Sequence, residues 1–104
     1  MVESKFQREL IQDLEEMLPG ALIYKNESKQ GLPDLTVLYG EHWALLECKK
    51  SRDSHHQPNQ DYYVQLADRM SFSRFVFPEN KQEVLDDLQY AFGVKRQARL
   101  TQPE

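Results

Sequence analysis

The residues best suited to chemistry are two carboxylates and an ammonium group in the middle of the chain. Asp34 follows a proline, and Glu47 precedes Lys49 by two residues. Side chains two residues apart lie on the same face of a β-strand, so Glu47 and Lys49 would share a face while Cys48 points the other way. Carboxylate oxygens are ligands that Mg²⁺ prefers. The pattern indicates a site for a divalent cation with a lysine beside it.

A β-hairpin would bring the two carboxylates together. Apolar runs at 35–39 and 43–46 flank Gly40-Glu41, and glycine at the first loop position suits a two-residue type II′ turn. Counting pairs outward from this loop places Asp34 directly opposite Glu47. Like charges in that arrangement destabilise a sheet, so the pair needs compensation, which a divalent cation supplies.

Simpler interpretations of the same residues exist. An aspartate after a proline is often a strand-entry residue, and a glutamate two residues before a lysine on an edge strand is usually a solvated pair. The strand that carries Glu47 is, however, apolar on both faces, as a central and doubly covered strand is. Charges at the end of such a strand are costly unless they are paired or bind a metal. We therefore favour a functional site.

Size and composition describe one soluble domain. The 104 residues are 39% hydrophobic and 29% charged, with a net charge of −4, which is enough chain for a single core. No apolar run has the length of a membrane span or of a signal peptide, so we expect a cytoplasmic protein. The single Cys48 is expected to be a buried thiol, and no zinc-binding spacing is present. The acidity argues against a highly basic nucleic-acid binder, but clustered active-site carboxylates would contribute to it.

Hydrophobic periodicity predicts an α/β fold with the order αβββαβα. The predicted elements are a helix at 2–18, a strand at 21–25, the hairpin, a loop at 51–59, a helix at 60–70, a strand at 72–77 and a helix at 79–92. The third helix would bury Val84, Leu85, Leu88 and Phe92, and the second Tyr63, Leu66, Ala67 and Met70. Residues 1–93 would form the domain and 94–104 a polar tail.

The chain resembles the PD-(D/E)XK nuclease superfamily in the sequence Pro33-Asp34, a hairpin, then Glu47-Cys48-Lys49. With Gly31-Leu32-Pro33-Asp34 and a glutamine-containing helix downstream, it is most similar to small stand-alone VRR-NUC and Holliday-junction-resolvase-like nucleases, which phages often carry. The similarity in the order of elements covers roughly Glu3 to Leu88. It implies a restriction-endonuclease-like core, with a mixed sheet flanked by helices, and Mg²⁺-dependent DNA cleavage that leaves 5′-phosphates.

The resemblance also implies roles for particular residues. Asp34 and Glu47 would bind Mg²⁺, or Mn²⁺ in its place, with the carbonyl of Cys48 as a further ligand. Lys49 would position the attacking water or stabilise charge on the phosphate. Gln60, at the start of the second helix, would approach the active site, with Gln57 as the alternative.

An acidic residue from the first helix would complete the metal site in the resembled family. Glu3 lies along the middle of the apolar stripe of this helix and is the position we assign to that role, as a catalytic and metal-binding residue. Glu9 points away from the stripe and is held in reserve. The simpler alternative is that Glu3 only interacts favourably with the helix dipole.

Basic residues near the motif are candidates for contact with phosphates. Those on either side of the carboxylates are Lys25, Lys29, Lys50 and Arg52, and a further group near the C-terminus comprises Lys95, Arg96 and Arg99. His55 and His56 are adjacent and lack the one-turn spacing of a chelating pair. We expect these histidines to contact phosphate or relay protons rather than to bind a metal.

The size of the domain bears on its substrate and on its assembly. A domain of this size lacks an added sequence-reading module, so we expect cleavage of branched DNA, such as junctions and flaps. Two symmetric cuts need two active sites, and a homodimer would provide them. The aromatic residues compatible with a dimer interface, or equally with a core, are Tyr62, Tyr63, Tyr90 and Phe92. The alternative functions are a catalytically silent module that binds DNA or protein, and a nuclease that acts on RNA.

Overall fold

Three helices and four strands follow one another in the order αβββαβα, as predicted from the sequence. The computed structural model describes residues 5–27 and 30–94. The elements are α1 (Lys5–Met17), β1 (Leu22–Lys25), β2 (Leu35–Tyr39), β3 (His42–Cys48), α2 (Pro58–Met70), β4 (Phe72–Val76) and α3 (Lys81–Phe92). Among the described residues, no helix is both long and apolar enough to cross a membrane.

The four strands form one mixed sheet in the order β1-β2-β3-β4. The pairs β1–β2 and β2–β3 are antiparallel, whereas β3 and β4 are parallel. The β2–β3 register runs from Tyr39 opposite His42 to Leu35 opposite Leu46, which is the register predicted from a two-residue loop. Gly40 has a φ of +61°, as the first position of a tight hairpin turn requires. The strand that carries Glu47 is therefore central.

The two faces of the sheet are covered by different helices. Side chains alternate along each strand, and those of one face, the core face, pack with α1 and α3 in a single apolar cluster. The strand residues of this cluster are Leu35, Val37, Ala44, Leu46, Phe72 and Val76. The opposite face, the α2 face, includes Leu22, Tyr24, Thr36, Leu38, Trp43, Leu45 and Glu47. Helix α2 packs against β3 and β4.

Helix α2 differs from its prediction in start and in rotation. It begins at Pro58 rather than at Gln60, because proline is well suited to the first helical position, where no N–H partner is needed. Its buried residues are Val64 and Ala67, whereas Met70, predicted to be buried, is 66% exposed. The side chain of Gln60 is hydrogen-bonded to Glu47 of β3 and to Lys49 just beyond it. The helix is therefore rotated so that Gln60, Val64 and Ala67 face the sheet.

The side chains considered for a dimer interface have different environments. Phe92 is buried, with its ring 5.0 Å from that of His42. Tyr63 is half-buried, and Tyr62 and Tyr90 are exposed. Phe92 therefore belongs to the core, as do the other predicted α3 residues. Cys48 is half-buried against the same cluster.

Candidate active site

Asp34 and Glu47 meet where β2 begins and β3 ends. The backbone N–H of Asp34 donates to Oε1 of Glu47 at 3.1 Å, and the backbone N–H of Cys48 donates to Oδ2 of Asp34 at 3.0 Å. Each carboxylate thus accepts a hydrogen bond from the backbone of the opposite strand. The predicted juxtaposition of these two residues is confirmed.

Lys49 and Gln60 complete the same cluster. The Nζ atom of Lys49 donates to Oε1 of Gln60 at 2.8 Å and to the carbonyl of His55 at 3.0 Å, and it lies 3.9 Å from Oε2 of Glu47. The Nε2 atom of Gln60 donates to that same Glu47 oxygen at 2.8 Å. Gln60 therefore joins the ammonium to the carboxylate. Of the two glutamines considered from the sequence, it is Gln60 whose side chain makes these contacts.

The β3–β4 ladder fixes the direction of the lysine. Beyond the last residue of β3, the N–H of Lys49 donates to the carbonyl of Val76 at 2.8 Å, so the strand geometry continues past Cys48. The alternation of strand side chains then places Glu47 and Lys49 on the α2 face, where Gln60 lies in the first turn of α2. The Oε1 atom of Gln60 also accepts the N–H of Gln57 at 2.9 Å, which anchors this first turn.

Asn26 fixes the segment that enters β2, and the sequence did not reveal this role. Its Nδ2 donates to the carbonyl of Pro33 at 2.8 Å, and its backbone N–H donates to the carbonyl of Asp34 at 2.7 Å. Its Oδ1 accepts the hydroxyl of Thr36 at 2.9 Å. Asn26 is therefore a positioning residue for Asp34. Its only signal in the sequence is an amide residue directly after a strand.

Burial and repulsion act together on Glu47. Glu47 is only 4% exposed. Burial, and next the negative charge of Asp34, raise the pKa of Glu47 from its ordinary value of 4.5 to about 7, against the opposing influence of Lys49 and of the Asp34 N–H. The site therefore holds a carboxylate that is costly to ionise without a further positive charge.

The donor set suits a hard divalent cation. Among residues 5–27 and 30–94, no group of three or more histidine, cysteine, aspartate or glutamate side chains is arranged to hold a metal. Mg²⁺ usually needs only one or two carboxylates, because waters and substrate phosphates supply its other ligands. The carbonyl of Cys48 points to the same side as its N–H, which is the side of Asp34. Asp34, Glu47 and this carbonyl therefore fit Mg²⁺.

These contacts include no acidic residue of α1. Glu3 lies outside the described residues. Glu9, the reserve position, is exposed and forms a surface ion pair with Lys5 at 4.0 Å.

The basic candidates are distributed around the site. Lys25 is exposed and directly precedes Asn26, and Lys50 and Arg52 are exposed just after Lys49. The guanidinium of Arg52 lies 5.6 Å from the ring centre of Phe77. The remaining candidates, Lys29, Lys95, Arg96 and Arg99, lie outside the described residues.

The two histidines have separate contacts. His55 is exposed and contributes its backbone carbonyl to Lys49. The ring of His56 stacks on Phe75 at 3.9 Å, and its Nδ1 lies 3.0 Å from Oδ1 of Asp61. These contacts give both residues a part in holding the 51–57 loop.

No protein-family model, no curated protein and no solved structure matches this chain.

Gly31, in the segment leading to Asp34, provides a test of this loop. Its φ is +90°, and a Cβ atom there would lie 2.5 Å from Nδ2 of Asn59 in α2. We expect Gly31→Ala to destabilise the fold by more than the roughly 1–2 kcal/mol that the left-handed conformation costs an alanine. Gly20→Ala is the matched control, because Gly20 has a φ of +91° and no atom within 4 Å of its added Cβ. Equal losses in urea unfolding would show that the contact with Asn59 has no energetic weight.

Proposed function

We propose that this protein is a Mg²⁺-dependent DNA endonuclease of the PD-(D/E)XK type with a restriction-endonuclease-like core. The observation that carries the proposal is the single hydrogen-bonded cluster of Asp34, Glu47, Lys49 and Gln60. The order αβββαβα and the mixed sheet support it, because they place the motif residues at the ends of adjoining strands.

The carboxylates and the lysine have complementary roles in this mechanism. Asp34 and Glu47 would hold the metal, with the carbonyl of Cys48 beside them. A bound Mg²⁺ supplies a water of lowered pKa and polarises the phosphate. Lys49 has three N–H donors, of which two bind Gln60 and His55. Its charge is thereby held next to Glu47, where it would stabilise the charge that develops on the phosphate.

Gln60 has a positioning role in the same mechanism. A glutamine amide can donate and accept at once, and here it accepts from Lys49 while it donates to Glu47. It therefore keeps the ammonium and the carboxylate at a fixed separation before substrate arrives. Preorganisation of this kind avoids rearrangement during the reaction.

The proposed substrate is branched DNA, and the proposed products carry 5′-phosphates. The described residues form one α/β unit with a single sheet, which leaves little surface for reading a long sequence. A homodimer would supply two active sites for paired cuts at a junction. Mn²⁺ is expected to substitute for Mg²⁺, since both prefer oxygen ligands.

Cleavage assays with an Asp34 variant test the proposed function. End-labelled four-way junction, flap and linear duplex DNA are incubated with the protein in Mg²⁺ or in EDTA. We expect cutting only with the metal, and Asp34→Asn should lower the rate at least about a hundredfold because a charged oxygen ligand is lost. Asp87→Asn is the control, since Asp87 is an exposed residue of α3.

The outcomes separate the nuclease from a binding module. Cleavage that survives Asp34→Asn would rule out the proposed site. If the parent protein binds DNA without cutting it, and calorimetry finds no uptake of Mg²⁺, the protein is a binding module instead. The same assay with RNA strands establishes which nucleic acid is the substrate.

A further inference from the structure

Part of the α2 face of the sheet is apolar and exposed. Leu22 and Leu38 are cross-strand partners, and Tyr24 follows them opposite Thr36. Leu22, Tyr24 and Leu38 are 58%, 46% and 38% exposed, whereas Ile23, which points to the other face, packs against the core. Helix α2 packs over β3 and β4. We refer to Leu22, Tyr24 and Leu38 as the β1–β2 platform.

The β1–β2 platform adjoins the candidate active site. The β1–β2 register continues past the strands, because the N–H of Asn26 donates to the carbonyl of Asp34. Asp34, two residues before Thr36, therefore also lies on the α2 face. Tyr24, which pairs with Thr36, is the diagonal neighbour of Asp34 across the two strands. Diagonal neighbours are about 7–8 Å apart, which is within the reach of an aromatic side chain. Tyr24 is thus the platform residue nearest to Asp34 in the register of the two strands.

We propose that the β1–β2 platform binds an unpaired nucleobase next to the scissile phosphate, with Tyr24 as the stacking ring. This inference rests on the proposed function, because a phosphate at Asp34 and Glu47 would bring its own base, one sugar away, to the platform. Aromatic rings bind bases of any sequence through their π-faces. Bases within a duplex are already stacked on their neighbours, so only an unpaired base is available.

The net charge makes contacts with bases important for affinity. The chain has a net charge of −4, so long-range attraction to phosphate contributes little and local contacts must supply affinity. A base bound at the platform would favour branch points, flaps and frayed ends over continuous duplex.

Binding to two oligonucleotides tests this inference without relying on cleavage. Fluorescence anisotropy in EDTA compares oligothymidylate with an abasic oligonucleotide of the same length, which keeps the phosphates but lacks the bases. We expect the parent protein to bind the first about tenfold more tightly. Tyr24→Ala should abolish this ratio, and Tyr24→Phe should retain it. Tyr90→Ala is the matched control, because Tyr90 is 89% exposed on α3.

Each outcome has a distinct meaning. If the ratio of the two affinities is unchanged in Tyr24→Ala, the platform does not bind a base, even if the protein cleaves DNA. If the ratio depends on Tyr24 but the protein does not cut DNA, the base-binding role of the platform is supported and only the proposed nuclease activity is wrong. Sedimentation of the same variants tests whether a second copy of the chain, and not a base, binds this apolar face of the sheet. If Tyr24→Ala converts a dimer to monomers, the surface is a self-interface and the proposal is wrong.

Discussion

Replacement of Lys49 by alanine is expected to lower the rate of phosphodiester cleavage by about 10²–10³-fold, the usual effect of removing a preorganised charged donor. The Nζ atom of Lys49 is held by Oε1 of Gln60 and by the carbonyl of His55, so its position is set before substrate binds. An alanine leaves the metal ligands in place and removes this charge together with its hydrogen bonds to Gln60 and to His55. Single-turnover cleavage at saturating Mg²⁺ measures the effect on the chemical step.

Arg69→Ala is the control for the loss of one positive charge. Arg69 is exposed in the last turn of α2, whereas Gln60 lies in the first turn. This control should cut at the parental rate. If Lys49→Ala also cuts at the parental rate while its urea unfolding is normal, Lys49 has no part in the chemistry and the proposed mechanism fails.

The stability of the metal-free protein is expected to fall as the pH rises from about 4.5 to about 7. Over this range the folded state keeps a proton on Glu47, whose pKa is raised to about 7, whereas the unfolded state releases it near the ordinary value of 4.5. The stabilisation is fully present below the unfolded pKa and is lost as the pH passes the folded one. A shift of this size corresponds to about 3 kcal/mol, which urea unfolding in EDTA can resolve.

Glu47→Gln isolates this contribution, because an amide of similar shape does not titrate. The difference in unfolding free energy between parent and variant should change with pH in the predicted direction, while other titrating groups cancel. Mg²⁺ should restore stability to the parent above pH 7, since a ligand that binds only the native state stabilises it. Parallel pH profiles for the two proteins would contradict the assigned environment of Glu47.

The pairing of Asp34 with Glu47 was predictable because a two-residue loop leaves only one register. Once Gly40-Glu41 forms the turn, each further pair is fixed by counting, and strand alternation then places Lys49 on the face of Glu47. The buried side of α3 was equally clear, since its apolar residues form a single stripe. These features depend on local sequence alone.

The rotation of α2 and the role of Asn26 depend on contacts between distant parts of the chain. Helix α2 has two overlapping apolar lines, one through Tyr63 and Met70 and one through Val64, and periodicity alone does not choose between them. The hydrogen bonds of Gln60 to the strands make the choice. Asn26 meets Asp34 only through the β1–β2 register, which the long connection between these strands leaves undetermined.

One oxygen atom of Gln60 serves two partners, the ammonium of Lys49 and the N–H of Gln57 at the start of α2. If a substrate phosphate draws the ammonium of Lys49 away, the Oε1 atom of Gln60 accepts only the backbone N–H of Gln57. The backbone hydrogen bond at the entry to the helix would then strengthen as the lysine leaves. Slower hydrogen exchange at the Gln57 amide would report the arrival of substrate from within the protein itself.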